Sequence, residues 1–253
     1  MIGIGIGVNR IRRASGGGFD KNYQDVLDAM TSLGYTLPSA SQQVKQNALM
    51  VAWKSAGFFQ ACKGLAVMMT DGESRCALFD WKRLVAMTPQ SSPIFTTNQG
   101  YAGDGVAARI DTGLLASELS SNNASIGVYV QNDGGNSGYL IGNVGVAGLR
   151  LRGSNSSNNQ LQTTGTTSVS VDLSGTGFKA INKLSSGNLS LYNQATRTTA
   201  TATDTTTTNE IQLLRWGTTF SNSRIGMWYA SDNIDGSIYT AMRSAFLNYV
   251  GSL

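Results

Sequence analysis

A change of pattern at residues 100–113 constrains the fold of this chain more than any other feature. Before it, apolar residues recur at helical spacing; after it, they fall in short runs broken by Gly, Asn, Ser and Thr. The stretch itself contains the turn dipeptide Asp104-Gly105, in which glycine tolerates a positive φ. It predicts a short strand over 106–110 and a second turn over 111–113. An all-β region is therefore expected to begin here.

Two helices are predicted before this change. The first covers residues 20–33 and has Asp20 as its N-cap. The second begins after Pro38, with Ser39 or Ser41 as its N-cap, and ends near Gly57; its apolar face is expected to comprise Val44, Ala48, Val51 and Ala52. The apolar run 58–69 that follows is expected to be core rather than a cofactor contact.

The remainder of the chain predicts short strands joined by polar turns. The candidate strands are 125–131, 138–142, 148–152, 166–172, 177–184, 189–193, 210–215 and 223–230. The Thr-rich tract 195–208 fits an edge strand or a flexible loop, and threonine favours the strand. Residues 234–247 return to helical spacing. This order predicts a mainly β, antiparallel sandwich, rather than a parallel α/β sheet, closed by a C-terminal helix.

The first 18 residues have a pattern of their own. Three isoleucines alternate with glycines and would share one face of an extended strand, namely Ile2, Ile4 and Ile6. Such a strand is entropically weak by itself, so it fits an anchor that adds to a partner's sheet or an edge strand of this fold. Three arginines follow as the tightest basic cluster, Arg10, Arg12 and Arg13. With a net charge of only +4, they indicate a solvated or interface-bound arm rather than a nucleic-acid site.

Composition excludes several classes. Charged residues make up only 13% of the chain, which fits a β-rich protein with a polar, uncharged surface. No apolar run approaches the roughly 18 residues that a membrane helix needs. The apolar N-terminus precedes its charges, unlike a signal peptide, which predicts synthesis and folding in a cytoplasm. Cys62 and Cys76 are then expected to be buried free thiols.

Catalytic and metal-binding motifs are weak. There is no histidine, the commonest general base and metal ligand. Glu210 stands alone in its strand, whereas a glycosidase needs paired carboxylates, so we expect no enzymatic activity and keep glycan hydrolysis as a weaker alternative. Residues 71–73 and 232–235 fall short of a calcium loop. The glycines of residues 3–7 lack the context of a phosphate loop, so neither metal nor cofactor is expected.

Carbohydrate binding is the chemistry that the residues allow. Sugars are held by aromatic faces and by polar groups offered from loops. The candidate residues are Asn132, Asp133, Asn136, Tyr139, Asn155, Asn158 and Asn159, with Trp216 at the end of a strand. The competing interpretation is that the Asn-rich loops are ordinary solvated turns.

Five short motifs, in this order, resemble a group of phage and prophage virion proteins. They are Trp81-Lys82, Gly100-Tyr101-x-Gly103-Asp104-Gly105, Ile110-Asp111-Thr112-Gly113, Arg-Ile-Gly-x-Trp at 224–228, and Ile-Tyr-x-Ala-Met-Arg at 238–243. The resemblance covers residues 20–250. It implies a concanavalin A-like, laminin-G-like jelly roll behind a helical N-terminal part.

The resemblance also implies a role. Such proteins are tail-fibre, spike or other surface components of the virion, so we expect a particle-surface protein, assembled in the host cytoplasm, that binds a host glycan or receptor. The alternative is a purely architectural decoration or minor capsid or tail protein. Residues 1–18 would contact other virion proteins, and a homo-oligomer, most simply a trimer, is expected. The expected division is an arm over 1–18, a helical collar over 19–92 and the sandwich over 93–253.

Overall fold

The computed structural model describes residues 18–119, 123–135, 138–143, 150–152, 160–162, 168–170, 175–184, 188–201, 208–232 and 234–253. The helices of these residues are Lys21–Ser32 (α1), Ala40–Ser55 (α2), Phe58–Ala61 (α3), Ser74–Ala77 (α4) and Gly236–Gly251 (α5), with a 3₁₀ turn at Ala116–Glu118. The strands are Cys62–Val67 (β1), Phe79–Asp80 (β2), Val85–Ala86 (β3), Thr88–Gln90 (β4), Ile94–Thr96 (β5), Gly100–Ala102 (β6), Arg109–Leu115 (β7), Ala124–Asn132 (β8), Tyr139–Asn143 (β9), Arg150–Arg152 (β10), Gln160–Gln162 (β11), Ser168–Ser170 (β12), Gly177–Leu184 (β13), Asn188–Asn193 (β14), Thr196–Thr201 (β15), Glu210–Leu213 (β16), Arg215–Trp216 (β17), Thr219–Phe220 (β18) and Arg224–Asp232 (β19). None of the described helices is long and apolar enough to cross a membrane.

Two antiparallel sheets form the centre of the molecule. The large sheet has the strand order β15-β14-β13-β8-β19-β6-β5, and β1 also pairs with β19. The small sheet has the order β10-β9-β16-β7-β4. The predicted fold class is confirmed: the protein is mainly β, an antiparallel jelly-roll sandwich with N-terminal helices and a C-terminal helix.

The protein is built in three layers with two apolar cores. One core fills the space between the two sheets, and the other lies between the large sheet and helices α1, α2, α3 and α5, called here the helical layer. Strand β19 contributes to both cores, because Trp228 belongs to the first and its neighbours Met227 and Tyr229 belong to the second. Burial on both faces explains why this strand reads as a continuous apolar run.

The predicted helical collar over 19–92, which is expected to pack on the sandwich, has its helices on the outer face of the large sheet. Its helices share a core with the C-terminal helix α5 and with the outer face of the large sheet. The same segment also supplies β1 to the large sheet and β4 to the small sheet. The predicted boundary at residue 92 therefore does not separate helices from strands. Residues 1–17 of the predicted arm lie outside the described residues.

Helix α2 buries a different face from the one predicted. Val44 and Val51 are 60% and 45% exposed, whereas Gln42 and Gln46 are buried along with larger apolar residues of the helix. The two glutamines tolerate burial because their amide groups are hydrogen-bonded. The Nε2 atoms of both donate to the Tyr249 hydroxyl, at 3.1 and 3.2 Å. The predicted N-caps of α1 and α2, Asp20 and Ser39, do accept hydrogen bonds from their helices.

The stretch over 100–113 is partly as predicted. Asp104 makes the expected turn, because its Oδ1 accepts the backbone N–H groups of Val106, Ala107 and Ala108 at 2.8 Å each. The strand, however, runs over Arg109–Leu115, and the predicted turn at 111–113 lies inside it. The register with β16 shifts here, and Gly113 has a φ of 71°. The glycine therefore belongs to a β-bulge within a strand rather than to a connection between strands.

Other strand predictions depend on simpler patterns. Strand β13 has the predicted bounds, and the Thr-rich tract begins as strand β15, paired with β14.

Cys62 and Cys76 are buried free thiols, as predicted. Burial raises the pKa of the Cys76 thiol to about 11 and also raises that of Cys62, so both thiols stay protonated at neutral pH.

The N-cap of the closing helix allows a pH test. Oδ1 of Asp235 accepts the backbone N–H groups of Ser237 and Ile238, both at 2.8 Å. The Ser237 side chain and these N–H groups lower the pKa of Asp235. Its contribution to stability is therefore complete above the unfolded pKa of about 3.9 and is lost as the pH falls through the folded value.

We expect Asp235→Ala to lower the free energy of unfolding by about 1 kcal/mol at pH 7. Asp235→Asn is the matched control, since asparagine keeps a capping oxygen, and it is expected to cost only a few tenths of a kcal/mol. Urea denaturation at pH 7 and at pH 3 measures both. An alanine penalty that does not shrink at pH 3 would contradict the role of the charged cap.

Candidate functional site

The two faces of the small sheet differ in character. One face contributes Ile110, Leu151, Leu213 and others to the core between the sheets. The other face, which we call the open face, carries several polar and aromatic side chains. At its centre is Gly142, with Arg150 opposite it on β10 and Gln212 opposite it on β16.

A bulge in β9 places Tyr139 on the open face. Leu151 pairs with Ile141, but the next residue, Arg152, pairs with Tyr139, so Leu140 is an extra residue in β9. Leu140 and Ile141 both belong to the core between the sheets. Because two consecutive residues face inward, Tyr139 is turned to the same side as Gly142, where it lies beside Arg152.

Trp216 completes an aromatic pair. Its ring centroid lies 5.0 Å from that of Tyr139, with 49° between the ring planes. A Cβ atom at Gly142 would lie 3.3 Å from Cδ1 of Trp216, so the glycine leaves the room that the indole occupies. Trp216 is half-buried, whereas Tyr139 is 6% exposed. The indole is therefore the part of the pair that meets solvent.

The Arg150 guanidinium packs against this pair. Its Cζ atom lies 3.7 Å from the ring centroid of Trp216 and 5.5 Å from that of Tyr139. Arg150 is only 5% exposed, and its Nε atom has no hydrogen-bond partner among the described residues. Burial lowers the pKa of Arg150, and the nearby positive charge of Arg152 lowers it further. A buried, partly unsatisfied cation is costly unless something pairs with it.

The other side of Gly142 carries an unpaired acceptor. Nε2 of Gln212 donates to Oδ1 of Asp111 at 2.6 Å, and Nε of Arg109 donates to the same oxygen at 3.0 Å. The Gln212 Oε1 atom is buried and has no partner among the described residues. Within the open face, a buried donor and a buried acceptor thus lie without partners among the described residues, on either side of a glycine and next to an aromatic pair.

A further guanidinium reaches this face from β17. Nε of Arg215 donates to the carbonyl of Gly217 at 2.7 Å, and its Cζ atom lies 5.3 Å from the Phe220 ring centroid. Burial lowers the pKa of Arg215, and the charge of Arg109 adds to the effect while that of Asp111 opposes it. Arg215 is therefore close enough to the open face to interact with both.

The structure brings together two of the predicted sugar-binding residues, Tyr139 and Trp216. Asn132 and Asp133 lie in a turn that uses their side chains: Oδ1 of Asn132 accepts the N–H of Gly134 at 2.9 Å, and Oδ2 of Asp133 accepts the N–H of Gly175 at 2.8 Å. These contacts fit the interpretation of the two residues as turn formers. The other four candidates lie outside the described residues, namely Asn136, Asn155, Asn158 and Asn159, and so do the predicted anchor residues Ile2, Ile4, Ile6, Arg10, Arg12 and Arg13.

Sequence reasoning missed Arg150, Arg152 and Gln212. A signal was present in one case, because Arg150-Leu151-Arg152 alternates charged and apolar residues inside a predicted strand. That alternation places both arginines on one face. The sequence contains no comparable signal for Gln212, whose position depends on the pairing of β16 with β9.

No protein-family model matches the chain, and no curated protein matches it. Among solved structures, the chain is similar to the Trypanosoma rangeli sialidase in complex with 2,3-difluoro-KDN, with 10% identity and a TM-score of 0.52 over 81% of this chain and 40% of that chain. It is also similar to domain 4 of AbnA, a GH43 extracellular arabinanase from Geobacillus stearothermophilus, solved with arabinotriose. The identity is 14% and the TM-score is 0.49 over 72% of this chain and 98% of that chain. A third similar structure is the botulinum neurotoxin serotype D binding domain, with 11% identity and a TM-score of 0.44 over 76% of this chain and 52% of that chain.

The chain spans about two fifths of the length of the sialidase chains that it matches. At this identity the likeness shows the fold alone. The likeness nevertheless corrects the prediction that the protein is not an enzyme. The Trypanosoma rangeli sialidase is an enzyme and contains a region of this fold, so the fold gives no support to that prediction.

Proposed function

We propose that the protein binds a glycan on the open face of the small sheet. The observation that carries the proposal is the Tyr139–Trp216 pair, flanked by the unpaired Arg150 Nε and Gln212 Oε1 atoms. A sugar ring would stack on the indole of Trp216 through its apolar C–H face, and its hydroxyl groups would satisfy the polar atoms around Gly142.

A wider role is proposed from the sequence. The resemblance of the sequence to virion proteins favours a bacteriophage surface component that binds a host-surface glycan, with residues 1–18 attaching it to the particle. One solved structure to which the chain is similar, the Trypanosoma rangeli sialidase, is by its title in complex with 2,3-difluoro-KDN, which supports a glycan ligand. A trimer is part of the same proposal, and a purely architectural protein is its alternative.

The test compares two half-buried aromatic residues. Trp216→Ala removes the exposed ring of the proposed site. Tyr35→Ala is the matched control, because Tyr35 also stacks with an arginine, Arg75 at 4.5 Å, but lies on the helical layer. The full chain and both variants are applied to an array of bacterial surface polysaccharides and of neutral and acidic oligosaccharides.

We expect the wild type to bind a subset of these glycans and Trp216→Ala to weaken that binding about two- to tenfold, since a stacked ring contributes about 0.5–1.5 kcal/mol. Tyr35→Ala should bind like the wild type. The proposal fails if no glycan is bound, or if the two variants bind equally well.

A further inference from the structure

The structure assigns a charge preference to this site: we propose that the open face binds an acidic sugar, whose carboxylate lies against the Arg150 guanidinium. This inference rests on the proposed function, since it names the class of glycan that the same site takes. The ligand is a uronic or nonulosonic acid unit within an oligosaccharide.

Arginines outnumber carboxylates among the described residues of the open face. Four arginines lie on it or reach it, Arg109, Arg150, Arg152 and Arg215, whereas its described strands supply two carboxylates, those of Asp111 and Glu210. Asp111 forms an ion pair with Arg109 at 3.0 Å. Among the described residues, neither Arg150 nor Arg215 forms an ion pair with a carboxylate, although Asp111 is close enough to attract Arg215. The described part of the face therefore carries a net positive charge, and an anion would be attracted to it.

Arg150 is buried beside the aromatic pair. Arg150 is more than nine-tenths buried, its Cζ atom lies 3.7 Å from the Trp216 ring centroid, and its Nε donor has no hydrogen-bond partner among the described residues. A guanidinium presents its donors in a planar fork that matches the two oxygens of a carboxylate. A bound carboxylate would satisfy the donor and offset the cost of burying the cation beside Arg152.

Gly142 separates the two polar groups, Arg150 and Gln212. Gln212 and Arg150 are the partners of Gly142 on its two sides, so an acceptor and a cation lie on neighbouring strands across a residue without a side chain. A sugar acid offers the complement, with a carboxylate for Arg150 and a ring hydroxyl that donates to Gln212 Oε1. A simple anion such as phosphate would use the cation but leave the indole uncovered.

The experiment uses three acidic oligosaccharides, trigalacturonate, a hyaluronan tetrasaccharide and sialyllactose, each measured against its own methyl ester. Esterification removes the charge and keeps the sugar. Calorimetric titration of the full chain is expected to show that at least one acid binds about tenfold or more tightly than its ester, because the ester loses the charge-assisted hydrogen bond. Inorganic phosphate, titrated separately, should not bind in the same concentration range.

Two variants locate the effect. Arg150→Lys keeps the charge and loses the planar fork, and it should reduce the preference for acid over ester at least about fivefold. Since Arg150 is buried, the half-buried Arg215 gives a second variant, Arg215→Gln, which should weaken the acids and leave the esters unchanged. Arg75→Gln in α4 is the control and should change neither.

The outcomes separate this inference from the proposed function. Esters that bind as tightly as their acids, with both weakened by Trp216→Ala, would overturn the charge preference and leave glycan binding intact. The same holds if only neutral glycans of the array bind. Acids that bind equally well to Trp216→Ala, or phosphate that binds as tightly as they do, would indicate an anion site and overturn both.

Discussion

Replacing Phe246 with alanine is expected to lower the free energy of unfolding by about 3–5 kcal/mol, the range for deleting a buried aromatic ring. Phe246 is fully buried, and its ring lies 5.1 Å from that of Tyr129, 5.4 Å from that of Phe178 and 6.2 Å from that of Trp53. It therefore joins α5 to α2 and to two strands of the large sheet. Loss of the ring removes contacts on all of these elements and leaves a cavity between them.

Urea denaturation followed by circular dichroism and by tryptophan fluorescence measures this effect. Ser244→Ala is the control: Ser244 is exposed on the same helix, and its replacement should change stability by less than about 0.5 kcal/mol. We expect the two probes to give one coincident transition in Phe246→Ala, shifted to lower urea. A variant that loses helical signal in a separate early transition would show that the helical layer is an independent unit.

Asp80→Ala is expected to destabilise the protein by a similar amount, about 3–5 kcal/mol. The Asp80 carboxylate is fully buried and pairs with Arg83, whose Nε donates to it at 2.8 Å. Its other oxygen accepts the backbone N–H groups of Lys82 and Arg83 at 2.8 and 3.0 Å. Arg83 in turn donates to the carbonyl of Thr112 on β7. The pair thus ties the β2–β3 hairpin to the small sheet.

The expected loss has two parts. Alanine leaves the Arg83 cation without its partner and leaves buried backbone N–H groups without an acceptor. Asp80→Asn keeps the acceptor and removes the charge, so it should cost less than half as much. Asp25→Ala, which breaks the exposed pair with Lys21, is the control and should cost less than about 0.5 kcal/mol. Equal losses for alanine and asparagine in denaturant titrations would contradict the role given to the backbone acceptor.

Local patterns predicted the elements that depend on local physics. Strand β13 and the caps of α1 and α2 follow from alternation and from side-chain hydrogen bonds within a few residues. The buried face of α2 does not follow from local patterns, because Gln42 is buried in a hydrogen bond to the hydroxyl of Tyr249, which is distant in the sequence. The periodicity of α2 alone favours burial of the valines that the structure exposes.

The candidate site was predictable in its parts and not in its assembly. Tyr139 and Trp216 are aromatic residues at strand ends, which the sequence shows. Their meeting requires the pairing of β9 with β16 and the packing of β17 beside it, and the side on which Tyr139 lies depends on a bulge. A bulge shifts the alternation by one residue, so no periodicity in the sequence indicates it.

Nuclear magnetic resonance of the tryptophan indole N–H groups tests the central claim, glycan binding at Trp216, most directly. Of the four tryptophans, Trp53, Trp81 and Trp228 are at most 2% exposed and Trp216 is half-buried. Trigalacturonate, the hyaluronan tetrasaccharide and sialyllactose are added in turn, with the Trp216 signal assigned by its loss in Trp216→Phe. We predict that the oligosaccharide that binds shifts this signal saturably and leaves the other three in place. Saturable binding with the Trp216 signal unmoved would contradict the account.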